Sequence, residues 1–395
     1  METMKFPTQD ELRARFTRKW TQFEPDVLPL FIAESDFPTA PAVKKVLLDY
    51  TERECFGYSP APGAVGLGDA VADFHESRYD WRPDPKKVFW IGDVVRGLLL
   101  GIQYFTRPDS PVVVPLPAYP PFLELPETAG RERIDVGVTP SNGDVQPGEK
   151  PRLDLEAIEH AFADGAGSIL LANPFNPLGY VFDEDHLREL VALADKYDAR
   201  ILSDEIHAPL VLNGQHISIA GLSDTAARVT MTITATSKAW NFAGLKCAQI
   251  IFSNDKDVET WNSLPHVAQD GVGTLGIIAA EAAYRDGISH LDEEVEYLRT
   301  TRDWLVEELP KRIPGLITSK PDSTYLMWLD FRNTAIGEKE YPAAWLVQHA
   351  RVAFNEGVTF GEGFTGQARL NFATSPEILE EAIDRVAQAI AKADA

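Results

Sequence analysis

Three loops, each following a β-rich run, carry side chains whose types suit one kind of chemistry. After SILLA (168–172) comes Asn173-Pro174-Phe175-Asn176-Pro177-Leu178-Gly179. After ARILS comes Asp204-Glu205-Ile206-His207, and after VTMTITAT (229–236) comes Ser237-Lys238-Ala239-Trp240-Asn241, then Gly244-Leu245-Lys246. Taken singly, each has a plain structural reading. An NPxNP run makes a turn, an aspartate after a strand caps a helix, and a lone lysine is solvated. Taken in order they offer an amide, a carboxylate and an amine at successive strand ends. That set suits pyridoxal 5′-phosphate, which needs an amine for its imine, an acid partner for the pyridine nitrogen, a donor to the ring hydroxyl and a cradle for the phosphate. Lys238, at the end of a buried run beside apolar residues and a second cation, has its ammonium form disfavoured, which prepares it as a nucleophile. Asp204 as a carboxylate keeps the ring nitrogen protonated. Asn176 can donate to the ring oxygen without adding charge, and Lys246 offers the phosphate a fixed positive charge.

The elements that must position these residues are legible in the same stretch. PVVVP (111–115), SILLA, ARILSD (199–204), VTMTITAT and AQIIFS (248–253) read as buried strands. Between them Leu187, Leu190, Val191 and Ala194 stand at i, i+3, i+4 and i+7, one face of a helix over 183–198. Strand–helix alternation predicts an α/β fold whose mostly parallel sheet is covered on both sides. Ligands then lie beyond the carboxyl ends of the strands. Past Leu291 the pattern changes: Leu291, Val295, Leu298, Leu305 and Leu309 mark a long helix, and 323–331 and 368–374 read as strands of a second sheet. The expected division is a large domain over 48–290 and a smaller α+β domain from 1–47 and 291–395.

Composition narrows the classes. Among 395 residues, 44% are apolar and 25% charged, ordinary for a globular chain, while the net charge is −23. So acidic a surface repels phosphate backbones and anionic lipid, so neither nucleic acid nor membrane is an expected partner. Cys55 and Cys247 are the two cysteines and form no CxxC, which predicts neither a disulfide framework nor a zinc site and fits a reducing compartment. The eight histidines show no ligand pairing, so no metal is expected. The N-terminal stretch is charged throughout with no apolar core, unlike a signal peptide, and the expected location is the cytoplasm.

The run as a whole resembles the fold-type I pyridoxal-phosphate enzymes, the aspartate aminotransferase superfamily. Within it the chain is most similar to bacterial cystathionine β-lyases and C–S β-lyases of the MalY/PatB type. FIAESDFPTAP (31–41), FGYSP (56–60) and SDEIHAPLVL (203–212) carry the narrower likeness, supported by LPAYPPF (116–122) and TSKAWNFAGLKCAQ (236–249). The resemblance implies that Tyr119 stacks on the pyridine ring, Asp204 pairs with its nitrogen and Asn176 contacts its hydroxyl. It gives Arg369, in ARLNFA, the substrate carboxylate, with Asn176 and Ala33 also on the substrate side. It assigns Val94, Val95 and Arg96 to the phosphate loop that opens an apolar helix, with Ser237 and Lys246 nearby. Tyr58 would reach the phosphate of a neighbouring subunit, implying a homodimer, and His207 stands as a second-tier cofactor neighbour, since a lone histidine there is more often structural. Three positions depart from the pattern. Leu178 replaces the threonine of NPTG, Ala235 stands where many relatives have serine, and Asp93 puts a carboxylate beside the phosphate loop, where it repels unless it points away as a cap.

The activity this implies is β-elimination from an S-substituted L-cysteine such as L-cystathionine, giving a thiol, pyruvate and ammonia, with Lys238, Asp204 and Tyr119 as catalytic residues. An aminotransferase using the same residues is the alternative, although the tyrosine that aminotransferases carry close after the aspartate is here replaced by Ile206 and His207. A further role, modulation of a transcription regulator by contact, also occurs among relatives of this kind.

Overall fold

The apolar runs assemble into one large sheet whose strand ends converge on the three loops. The computed structural model describes residues 5–61, 63–139 and 150–394. In chain order its strands are β1 (Leu28–Pro29), β2 (Val88–Ile91), β3 (Val112–Leu116), β4 (Arg133–Thr139), β5 (Arg152–Leu153), β6 (Ser168–Ala172), β7 (Arg200–Asp204), β8 (Thr230–Thr234), β9 (Ala248–Ile251), β10 (Ile317–Thr318), β11 (Leu326–Asp330), β12 (Val352–Ala353), β13 (Asn355–Glu356) and β14 (Gln367–Asn371). Eight of them form a sheet in the order β2-β9-β8-β7-β6-β3-β4-β5. The pairs β8–β7, β7–β6, β6–β3 and β3–β4 are parallel, and β9 and β5 turn the sheet's flanks antiparallel. Residues of β6 and β8 are wholly buried, as a sheet covered on both faces requires.

Because β6, β7 and β8 are adjacent and parallel, their carboxyl ends lie on one rim, and the loops after them must meet. The helix predicted over 183–198 spans Glu184–Lys196 and buries Leu187, Leu190, Val191 and Ala194 as its spacing demands. On the other face, helix Val94–Tyr104 comes close to the sheet at Gly97, where an added Cβ would stand 3.2 Å from Ile233.

The second sheet, β10-β11-β14-β13, is antiparallel. The long helix predicted from Leu291 runs Ile288–Arg312 and turns Leu291, Leu298, Leu305 and Leu309 inward. Alternation along β14 decides much of the site. Ala368 and Leu370 join the apolar core, while Gln367, Arg369 and Asn371 form a buried polar row on the opposite face. That row grips the N-terminal segment: Asn371 Nδ2 donates to Ile32 O (2.6 Å) and Glu34 O (2.7 Å), and Arg369 Nη2 donates to Phe31 O (3.3 Å). Lys19, itself fully buried, pins the same segment through Asp36 (2.8 Å) and Glu34 O (3.1 Å).

Candidate active site

Lys238 follows β8, and its Nζ donates to the carbonyl of Ala33 at 2.7 Å, so the N-terminal segment closes directly over the amine. Asn241, in the left-handed region at φ 57°, fixes that segment with its side-chain amide, accepting from Ser35 N (3.1 Å) and donating to Ser35 O (2.7 Å). Asp204 ends β7, and its Oδ1 accepts from Ile206 N at 3.0 Å. Asn176 comes from the turn after β6, which is pressed against the chain ahead of β11. A Cβ on Gly179, at φ 72°, would fall 2.5 Å from Pro321 Cβ, so glycine is needed there for both space and backbone. Asn176 Oδ1 accepts from Arg369 Nη1 at 3.0 Å, and the guanidinium lies over the Phe360 ring at 4.7 Å. Tyr119 precedes helix Pro120–Thr128 and is half-buried beside Phe122.

Charge in this cleft is strongly perturbed. Burial pulls the Lys238 ammonium down to about 8, aided by the Arg369 charge and opposed by Asp204 and Glu34. Burial raises the Asp204 carboxyl to about 7, against the Ile206 N–H and the Lys238 charge, with Glu205 adding to the rise. Burial lowers Arg369 to about 10 and raises the Tyr119 phenol. His207 is pushed well below the usual imidazole range by burial, then by Lys238 and Arg369, and stays neutral.

Several buried polar atoms here lack a hydrogen-bond partner: Arg369 Nε, His207 Nδ1 and Tyr325 Oη. Three such groups beside Lys238 and Asp204 are open to hydrogen bonds from a ligand. A reactive amine, a carboxylate whose ionisation lacks only a close cation, and an arginine with a spare donor are what pyridoxal 5′-phosphate and an amino-acid carboxylate require. The residues present fit the cofactor.

The loop expected to hold the phosphate opens helix Val94–Tyr104. Asp93 caps that helix, its Oδ1 accepting from Arg96 N at 2.8 Å. Its Oδ2 also pairs with Lys246 Nζ at 2.9 Å. Lys246 therefore has a protein counter-ion, a pairing that the sequence reading of it as a phosphate cation did not include. The first-turn N–H groups of Val94 and Val95 remain available by helix geometry. Arg96 reaches Ala268 O (3.3 Å), and Ser237 is half-buried beside the lysine. Tyr58 is not brought to this cleft: it stands fully exposed on the single chain.

The model of aminotransferase classes I and II matches residues 25–386. This chain belongs to that family. It is 52% identical to the cystathionine β-lyase of Corynebacterium glutamicum over 98% of this chain and 100% of that one. It is 29% identical to the cystathionine β-lyase PatB of Bacillus subtilis, over 98% of this chain and all of the relative. A crystal structure of a candidate PLP-dependent β-cystathionase from Corynebacterium diphtheriae superposes with a TM-score of 0.93 at 52% identity, covering 98% and 99% of the two chains.

Sequence reasoning missed Tyr325 and Glu34, although both lay in runs it had marked. Tyr325 follows Thr324, a β-branched residue at φ 68° whose Oγ1 accepts from Leu326 N (3.1 Å). Such a backbone is costly and points to a functional constraint. Burial, then the charge of Glu34, raises the Tyr325 phenol, and its ring stands edge-on to His207 at 6.2 Å. A tyrosine opening a strand gives no sign in sequence of which side it faces.

Proposed function

We propose that this protein is a pyridoxal-phosphate-dependent carbon–sulfur β-lyase that converts L-cystathionine, or another S-substituted L-cysteine, to a thiol, pyruvate and ammonia. The observation that carries this is the 52% identity, over essentially the full length of both chains, to a cystathionine β-lyase. When bound, the cofactor supplies an electron sink for the negative charge that develops at the substrate Cα.

The chain's own residues do the rest. Lys238, its amine lowered to about 8, has a free-base fraction of roughly a tenth at pH 7, far above that of an ordinary lysine, and takes the Cα proton. Asp204 holds the proton on the pyridine nitrogen. Arg369 binds the substrate carboxylate and fixes the angle at which the Cα–H bond meets Lys238, an orientation effect. Asn176 and Phe360 hold that guanidinium in place. Tyr119 would lie against the cofactor ring, and Ala33 and His207 would line the same cleft. Lys246, Ser237, Arg96 and the N–H groups of Val94 and Val95 serve the phosphate.

The same reading makes the working unit a homodimer in the cytoplasm, with Tyr58 of each chain completing the phosphate site of the other, and divides the chain at residues 48 and 291. A fully exposed tyrosine on a single chain supports the shared phosphate site. Among the described residues no helix is long and apolar enough to cross a membrane. The test is to incubate the purified protein with L-cystathionine and no 2-oxo acid. Homocysteine, pyruvate and ammonia should appear in equal amounts. Strict dependence on 2-oxoglutarate, with glutamate as product, would replace the lyase by an aminotransferase.

A further inference from the structure

Behind the Asp204 carboxylate lies a second one that the chemistry above leaves unused. Successive residues of a strand point to opposite faces, and Glu205 leaves the end of β7 on the side away from Lys238. It is fully buried, and its oxygens meet Ser203 Oγ (3.0 Å), Ser218 Oγ (2.8 Å) and His216 Nε2 (2.8 Å). Its backbone is tied as well: N–H to Ile233 O (2.7 Å), and C=O from Thr234 Oγ1 (3.2 Å) and Ala208 N (3.0 Å). Helix Leu67–Tyr79 packs behind this cluster, with the Tyr79 ring edge-on to His216 at 4.7 Å and His75 edge-on to Tyr79 at 5.0 Å.

The charges on that side are few. Burial raises the Glu205 carboxyl, but His216 and Ser218 outweigh it and hold it below the ordinary range, so Glu205 stays ionised. Burial pushes His75 down to about 4, so it is neutral. The Nδ1 atoms of His75 and His216 have no protein partner, and His216 Nε2 faces Glu205 at 2.8 Å. An interior carboxylate is expensive, and apolar replacements of buried ion pairs often fold as well or better. One placed next in sequence to Asp204, with every oxygen engaged, is better explained by what it does for that neighbour.

We propose that Glu205 is a positioning residue for the cofactor: anchored by Ser203, His216 and Ser218, it locks the turn from Asp204 to His207 so that the Asp204 carboxylate stands at the pyridine nitrogen, and it backs that carboxylate with a second negative charge. This rests on the assignment of Asp204 to the pyridine nitrogen. Glu205 touches neither substrate nor cofactor and acts through Asp204.

The test uses the holoenzyme and three variants, Glu205→Gln, Ser218→Ala and Asp204→Asn. It reads the dissociation constant of pyridoxal phosphate by equilibrium dialysis, the pH midpoint of the bound cofactor's visible absorbance change, and the urea midpoint. Glu205→Gln should weaken cofactor binding about tenfold, in the range seen when groups that orient a ligand's direct partners are lost. It should lower the absorbance midpoint by about half a pH unit or more, because a negative charge favouring the protonated chromophore is gone. Ser218→Ala should move both in the same direction by less. Unchanged affinity and absorbance midpoint in folded Glu205→Gln, whatever happens to the urea midpoint, would make Glu205 a stability element and overturn the inference. Should Glu205→Gln not fold, Ser218→Ala decides, and no change in either quantity overturns it equally. Asp204→Asn separates the two levels. If it too leaves binding and absorbance unchanged, the pyridine assignment falls; if it shifts them while Glu205→Gln does not, only the role of Glu205 falls.

Discussion

Asp204 should cost the cofactor-free protein stability, and Asp204→Asn should return it. The carboxyl moves from its ordinary 3.8 to about 7 because burial disfavours its charge. The folded state therefore keeps a proton that the unfolded chain has already released. Stability is highest below the unfolded value, falls as pH rises from about 4 through about 7, and is flat above. A displacement of about three units corresponds to roughly 4 kcal/mol at about 1.4 kcal/mol per unit. At pH 5 only the first part has accrued, roughly 1–2 kcal/mol. Asparagine keeps the side-chain oxygen that accepts from Ile206 N and carries no charge to desolvate. Cofactor-free Asp204→Asn should thus be more stable than the parent by roughly 4 kcal/mol at pH 8.5 and by less than half of that at pH 5. The assay is chemical denaturation of both apoproteins at the two pH values and one protein concentration. Added pyridoxal phosphate should reverse the order, since a pyridinium N–H turns the buried charge into a pair. Equal apoprotein stability at pH 8.5, or a gain that does not shrink at pH 5, would refute the claim that Asp204 is an ionised group awaiting a cation.

Three further outcomes are expected. Borohydride should trap pyridoxal phosphate on the peptide containing Lys238 and on no peptide of Lys238→Ala; because the amine sits near 8, the rate of imine formation by the apoprotein should fall about tenfold per pH unit below about 7. Arg369→Lys keeps the charge but loses the planar fork, and kcat/KM for L-cystathionine should fall by about 10²-fold or more; a variant within threefold of the parent would free Arg369 from the carboxylate role. Tyr58→Phe and Lys238→Ala homodimers should both be impaired, yet refolded together they should regain activity, because one site of each hybrid carries neither lesion. No recovery, with hybrids confirmed by differential tagging, would remove the shared site and leave the Lys238 chemistry untouched.

The sequence by itself determined the chemistry-bearing trio and the sheet that presents it. Buried runs ending in Asn176, Asp204 and Lys238 are local patterns, and once the runs are parallel neighbours their ends must share a rim. The helix stripe at Leu187, Leu190, Val191 and Ala194 is local in the same sense, and so is the capping role open to Asp93. The family likeness extended that to Arg369 and Ala33 without saying what holds them. Tertiary structure decided the pairings between distant segments. Arg369 meets Asn176 across 193 positions, and Lys238 meets the Ala33 carbonyl across 205. Lys246 is balanced by Asp93 across 153, and Glu205 is satisfied by a histidine and a serine that the sequence reading had given no role. Alternation along a strand says that Gln367, Arg369 and Asn371 share a face, but not what covers that face; only the docking of the N-terminal segment onto β14 does. The reason is physical. Periodicity and capping are set by residues within a turn or two of one another, whereas desolvation and charge pairing depend on which surfaces the fold closes together, and those shifted the amine of Lys238 and the carboxyl of Asp204 toward neutrality.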